Sequence, residues 1–196
     1  TEGKKSRKVV EFGIQALKAV WHRGAVDADG KTGDGAGIHI EIPEDFFIER
    51  IQNAGRKYKD GKICVGMIFL PRNNYSLQEK CKTVVENELL RKNYYIYRWR
   101  QVPVNTKVLG IKAESNRPEI VQVIFKNNNI NLQDDDLERE LYVVRKKIEK
   151  QSSLLKLKDF YIASFSSRTI IYKGMFLAED LSEFYPDLMD KRFIRC

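Results

Sequence analysis

Residues 22–37, HRGAVDADGKTGDGAG, place five glycines and three aspartates in sixteen positions. No helix or strand tolerates that glycine density, so the chain must turn sharply here, with backbone angles that side chains resist. Phosphate binding is the obvious function for such a loop, and its spacing argues against it. A phosphate-cradling G-x-x-x-x-G-K-[ST] loop ending at Gly30-Lys31-Thr32 needs a glycine at position 25, which is Ala25. A dinucleotide G-x-G-x-x-G motif begun at Gly33 and Gly35 needs glycine at 38, which is Ile38. A calcium loop begun at Asp27 lacks glycine at its sixth position and an acid at its twelfth, Thr32 and Ile38. What remains is a turn that needs glycine for its backbone.

The flanks say what the turn connects. RKVVEFGIQALKAVW (7–21) repeats Val10, Ile14, Leu17 and Trp21 at helical spacing, with Ser6 placed as an N-cap. GIHIEI (37–42) alternates as a strand, and Pro43 opens a short acidic-started helix, PEDFFIERIQ. KICVGMIFL (62–70) is an unbroken apolar run and reads as a buried strand. A helix follows over 75–93, an aromatic strand over 94–102 and a third strand over 119–127. Asp134, Asp135 and Asp136 are of a type to ligate a metal, and they equally begin a strong helix over 136–151, the reading preferred here. DFYIASF (159–165) and RTIIYKG (168–174) stand two residues apart, a spacing that predicts a tight hairpin with Ser166 and Ser167 at its tip. A short helix lies near the C-terminus. No regular βαβ repeat appears, so the expected class is α+β with antiparallel sheets in one domain spanning residues 1–196.

Composition narrows the function classes. A hydrophobic fraction of 42% supports a core, and no run approaches the roughly 18 apolar residues of a membrane span. The opening TEGKKSRKVV is polar, unlike a secretory signal. Three unpaired cysteines, Cys64, Cys81 and Cys196, fit a reducing cytoplasm rather than a disulfide scaffold. The net charge of +8 is spread along the whole chain. It leaves open a basic single-stranded nucleic-acid-binding domain, because Tyr94, Tyr95, Tyr97, Arg98, Trp99 and Arg100 interleave aromatics with arginines. The same alternation suits a strand with one core face. His22 and His39 are the only histidines and have no metal-ligand spacing.

Several segments, in order, resemble one family. HRGA-x-x-AD-x-x-TGDGAGI (22–38), IPEDFF (42–47), VGMIFLPR (65–72), WRQVPVN (99–105) with Leu109-Gly110, ELYVVRKKIE (140–149), FYIASFSSRTIIYKGM (160–175) and FYPDLMDKRF (184–193) are similar to the class II glutamine amidotransferase domain of glutamate synthase. The resemblance implies an N-terminal nucleophile hydrolase-like four-layer α/β/β/α sandwich with antiparallel sheets. It implies L-glutamine as substrate, hydrolysed by an N-terminal cysteine through a thioester, with an oxyanion hole. Ammonia then passes to 2-oxoglutarate. It implies FMN and an iron–sulfur cluster in other domains of the enzyme, none of them in this chain. The partners it implies are the remaining domains of glutamate synthase and a small NAD(P)H-dependent subunit, with neither nucleic acid nor membrane. A non-catalytic binding module of the same fold is the alternative.

Against that pattern the chain begins at Thr1 with no Cys-Gly-x-Gly before the first helix, and it ends at Cys196. The expectation is an internal piece, incomplete at both ends, inactive alone and prone to self-association through exposed sheet edges. Thr1 falls out of register with the family's nucleophile, and no catalytic residue is assigned. Cys64 lies in an apolar strand and Cys81 on a helix, so both read as structural. The pocket-shaping candidates are Arg23, Gly33, Asp34 and Gly35: Arg23 to pair with a carboxylate, Asp34 to accept N–H groups across the turn. Loop architecture alone accounts for the same residues.

Overall fold

A computed structural model describes residues 6–20, 24–129, 132 and 134–194. The chain divides into two compact units: residues 44–101 with 118–170, and residues 1–43 with 102–117 and 171–196.

The first unit is built on a four-stranded antiparallel sheet in the order β3-β4-β2-β5, formed by β2 (Ile63–Leu70), β3 (Tyr94–Gln101), β4 (Glu119–Asn127) and β5 (Tyr161–Ser166). The unbroken apolar run of β2 and the mostly apolar β4, with Gln122 buried at its middle, occupy the two central positions. Helices α3 (Tyr75–Arg91) and α5 (Asp134–Leu154) close one core with this sheet. Their buried residues fall three and four apart, Cys81, Val84, Val85 and Leu89 on α3, and Leu137, Leu141, Val144 and Ile148 on α5. Asn74 caps α3 by accepting the Leu77 N–H at 2.9 Å, and Asn93 turns the chain out of it with φ 59°. The unit also holds the short helix α2 (Glu44–Gln52).

Bulges interrupt the expected alternation. In β3, Ile96 pairs with Phe125 and Arg98 with Ile124, leaving Tyr97 as an extra residue. In β5, Ser164 pairs with Met67 and Ile162 with Ile68, leaving Ala163 extra.

The second unit contains α1 (Arg7–Ala19), β1 (Ala36–Glu41), α4 (Ile111–Ser115), β6 (Thr169–Gly174, whose first two residues belong to the first unit) and α6 (Leu181–Phe184). Strand β1 pairs with β6. Val10 and Ile14 are buried on α1, whose Ser6 stands in the N-cap position without a side-chain cap bond. An aromatic cluster fills the unit. Tyr172 and Tyr185 meet at 5.0 Å, Phe176 and Phe184 at 4.8 Å, and Tyr172 and Phe193 at 6.0 Å between ring centroids. The 184–193 signature is thereby a core segment, fixed by Tyr185 Oη donating to Lys173 O at 2.8 Å and by Arg7 donating to Asp190 O and Phe193 O.

The hairpin expected over 159–174 does not form. β5 pairs with β2 and β6 with β1, in two different sheets. Each strand finds a partner distant in sequence, and Ser167-Arg168 is a crossover between sheets rather than a turn tip. The Glu138 carboxylate fixes that crossover. It accepts Ser166 Oγ at 3.0 Å to each oxygen, Ser167 N–H at 2.6 Å and Ser167 Oγ at 2.7 Å. Ser166 Oγ in turn accepts the N–H groups of Arg168 and Thr169 at 2.9 and 3.1 Å. The N–H groups along the crossover are thus met by side chains rather than by a facing strand.

Candidate functional site

The glycine-rich stretch is a small hairpin of its own. Asp27 N–H donates to Thr32 O at 2.9 Å, Asp34 N–H to Ala25 O at 3.1 Å, and Val26 and Gly33 form an antiparallel bridge. Gly30 at its tip takes φ 70°, and Gly35 at its exit takes φ 128°. These are the two backbone positions that demand glycine for conformation. Gly33 is required for space instead: a Cβ there would stand 2.5 Å from Phe176 O.

Two aspartates organise the tip. Asp29 accepts Lys31 N–H at 3.0 Å, Thr32 N–H at 2.7 Å and Thr32 Oγ at 2.6 Å. Those bonds to its charged form, the Thr32 hydroxyl first, hold its carboxyl well below the usual carboxylate range. Asp27 accepts Ala28 N–H at 2.7 Å and pairs with Lys112 Nζ at 2.6 Å. The ammonium lowers the Asp27 carboxyl and the carboxylate raises the Lys112 amine. Thr32 is buried at 2% exposure, and its hydroxyl also accepts Ala113 N–H at 3.3 Å. Gly110 lies so close that a Cβ there would stand 2.2 Å from Asp29 Oδ2 and 2.3 Å from Thr32 Oγ1.

Of the pocket-shaping candidates, Gly33, Asp34 and Gly35 stand together on the return limb of this hairpin, and Arg23 lies outside the described residues, as do Thr1, His22 and Cys196. Asp34 is exposed, and the carboxylates that accept N–H groups across the turn are Asp27 and Asp29. Sequence reasoning passed over Asp29, Thr32, Gly110 and Lys112. The Asp-x-x-Thr spacing of 29–32 was the available signal, since a short acceptor followed by nearby N–H donors is a recurrent turn device. Gly110 stood out only as part of the Leu109-Gly110 resemblance, and nothing local marks Lys112.

The other candidates resolve into architecture. Cys64 is fully buried, and burial pushes its thiol up. Burial likewise pushes the Cys81 thiol up to about 11, so neither is a ready thiolate at neutral pH. His39 sits exposed on β1. Asp134 and Asp135 open α5 and pair with Lys62 and Arg168. Among the described residues no cluster of His, Cys, Asp and Glu is arranged to hold a metal, and no helix is long and apolar enough to cross a membrane. The aromatic strand is not a stacking platform. Tyr94, Tyr97 and Arg100 are buried, Trp99 Nε1 donates to Glu86 at 2.7 Å, and Arg100 turns to Gln122 at 2.8 Å and to the Phe46 ring. A depression of about 380 Å3 opens beside Arg72, Tyr75, Gln78 and Trp99. Its rim charges are met locally, Lys82 by Glu79 at 2.8 Å and Glu119 by Gln101 at 2.6 Å.

The family model of the class II glutamine amidotransferases matches residues 1–195, and the chain belongs to that family. The glutamate synthase (NADPH) large chain of Azospirillum brasilense is 55% identical over 192 residues, 98% of this chain and 13% of that protein. The ferredoxin-dependent glutamate synthase of Pyropia yezoensis is 40% identical over 192 residues, 96% of this chain and 12% of that protein. The chloroplastic ferredoxin-dependent glutamate synthase of Spinacia oleracea is 37% identical over 197 residues, covering 98% and 12% respectively. The chain thus spans about an eighth of the length of these relatives.

Proposed function

We propose that this chain is part of the glutaminase domain of a glutamate synthase. The domain hydrolyses L-glutamine, and the ammonia released passes to 2-oxoglutarate to form L-glutamate. The observation that carries the reading is the 55% identity to a glutamate synthase large chain across 98% of this chain, which spans the glycine hairpin and the 184–193 core segment alike. The parent enzyme then requires FMN and an iron–sulfur cluster, which supply the reducing chemistry, and a small NAD(P)H-dependent subunit is a partner. In this reading both cofactors belong to other domains of the enzyme. The cytoplasm is the expected compartment.

In this reading a cysteine thiolate attacks the glutamine carboxamide, ammonia leaves, and water hydrolyses the thioester. Cys64 and Cys81 do not serve, because a thiol held protonated in a core cannot attack. The contribution of this chain is to shape the pocket, through the turn Gly33-Asp34-Gly35 and through Arg23. Labelling with an electrophilic glutamine analogue, read by intact mass and peptide mapping, tests the reading. This chain is run beside a version extended at both ends along its reading frame. Labelling of the extended version at an N-terminal cysteine is expected. Failure of both to label refutes the glutaminase reading, and labelling of Cys64 or Cys81 refutes the role given to them.

A further inference from the structure

The tip of the glycine hairpin is anchored, and the anchor reaches the turn by a short mechanical path. We propose that Thr32 and Asp29 are positioning residues for glutamine hydrolysis, acting through the Gly33-Asp34-Gly35 turn, with Gly110 to Ala113 as the fixed surface that holds them. This rests on the reading of the chain as part of a glutaminase domain in which that turn shapes the pocket.

Three observations carry it. First, the Thr32 hydroxyl works in two directions at once, donating to Asp29 at 2.6 Å and accepting from Ala113 at 3.3 Å. A hydroxyl has one proton to give and lone pairs to receive, so this arrangement uses its single donor and fixes its rotamer. Second, the surface it docks on leaves no slack, because even a methyl group at Gly110 would overlap both Asp29 and Thr32. Lys112 closes the far side through Asp27. Third, the next residue along is equally confined. Gly33 lies against the Phe176 carbonyl, and Thr32 O and Asp34 N–H are both committed to hairpin bonds with Asp27 and Ala25. A displacement of Thr32 therefore cannot be absorbed at residue 33 and is passed to residues 34 and 35. The Asp29 and Thr32 side chains act indirectly, and a shift of a fraction of an ångström in a substrate-holding turn is enough to lower turnover.

The test uses the full-length enzyme and compares glutamine-dependent with ammonia-dependent glutamate formation. Thr32→Val keeps the shape and removes the hydroxyl, whereas Thr32→Ser keeps the hydroxyl. We expect Thr32→Val to lower glutamine kcat/KM about tenfold relative to the ammonia-dependent rate, with Thr32→Ser within about twofold of wild type. Gly110→Ala attacks the same contact from the opposite side and guards against a folding defect peculiar to Thr32→Val. It should give the same kinetic signature, and the double variant should fall no further than the worse single one, as residues acting through one contact do. Wild-type ratios in both single variants overturn the proposal while leaving the glutaminase reading intact. Equal losses in Thr32→Val and Thr32→Ser, or additive losses in the double variant, also overturn it. Absence of glutamine-dependent turnover in the unsubstituted enzyme overturns the glutaminase reading itself, and the proposal with it.

Discussion

Replacing Glu138 by alanine should cost more stability than any other single polar substitution in the sheet unit. Its carboxylate is the shared acceptor for three donors, the hydroxyls of Ser166 and Ser167 and the Ser167 N–H. Ser166 and Ser167 are 7% and 2% exposed, so water does not readily take over. The two hydroxyls can rotate and recover part of their loss, but the Ser167 N–H is fixed by the backbone. Stranding one buried N–H costs about 1–3 kcal/mol, and each lost bond to a charged acceptor is worth about 1.5–3 kcal/mol before relaxation. Allowing for hydroxyl rotation, the sum is about 3 kcal/mol. That is a large share of the roughly 5–15 kcal/mol that holds a domain together.

Urea denaturation followed by circular dichroism reads the effect as a lower midpoint at unchanged slope. Thermal melting should fall by about 6–12 °C for a chain of this size. Glu138→Gln is the control, because one carbonyl oxygen still accepts the Ser167 N–H. It should lose less than half as much. A loss below about 1 kcal/mol in Glu138→Ala, or equal losses in the two variants, would refute the claim that the carboxylate supports the crossover between β5 and β6.

Gly33→Ala places a Cβ 2.5 Å from the Phe176 carbonyl, so backbone must move. A loss of about 2 kcal/mol by urea titration is expected, as for overpacking, and a neutral result would contradict the close approach. The Asp29 carboxyl is lowered in the folded state by the Thr32 and Lys31 bonds, so its contribution to stability is present above the unfolded value near 3.9 and is lost as pH falls below about 4 toward the depressed value. Asp29→Asn should therefore flatten the decline of melting temperature between about pH 4 and pH 2, and an unchanged profile would count against that bond set. Cys64 and Cys81 should resist maleimide at pH 8 in the native state and react on unfolding, as peptide mapping after timed quenching would show.

How much of this was legible beforehand depended on whether a residue's role is local. Strand β4 buries Gln122 at its middle and meets it with Arg100 at 2.8 Å, whereas the run that became β2 announced itself because it is apolar throughout, as a strand buried on both faces tends to be. The spacing of Leu137, Leu141, Val144 and Ile148 did the same for α5. The pairing of β5 and β6 was not legible. Two residues between strands is a hairpin signal only when nothing better is available to either strand, and the competing partners, β2 and β1, lie about 90 and 130 residues upstream. The acid that stabilises the crossover, Glu138, sits 28 residues away on a helix face with no mark to distinguish it from its charged neighbours.

The glycine hairpin divides in the same way. Its density of glycine foretold the sharp backbone, and the failed motif spacings removed the phosphate, dinucleotide and calcium readings. The glycines themselves split between two physical causes that the sequence writes with one letter. Gly30 and Gly35 are glycine because of φ, whereas Gly33 and Gly110 are glycine because another atom stands where a Cβ would be. The first cause belongs to the turn and would survive transplantation into another fold. The second belongs to the contact, and it ties residue 33 to Phe176 and residue 110 to Asp29 and Thr32. Tolerance to substitution should therefore differ by chemistry. At Gly30, where a Cβ would meet open space, asparagine, which accepts positive φ, should be borne. At Gly33 and Gly110 any side chain, even alanine's methyl, should cost stability by displacing its neighbours, because the obstacle there is volume and not backbone angle.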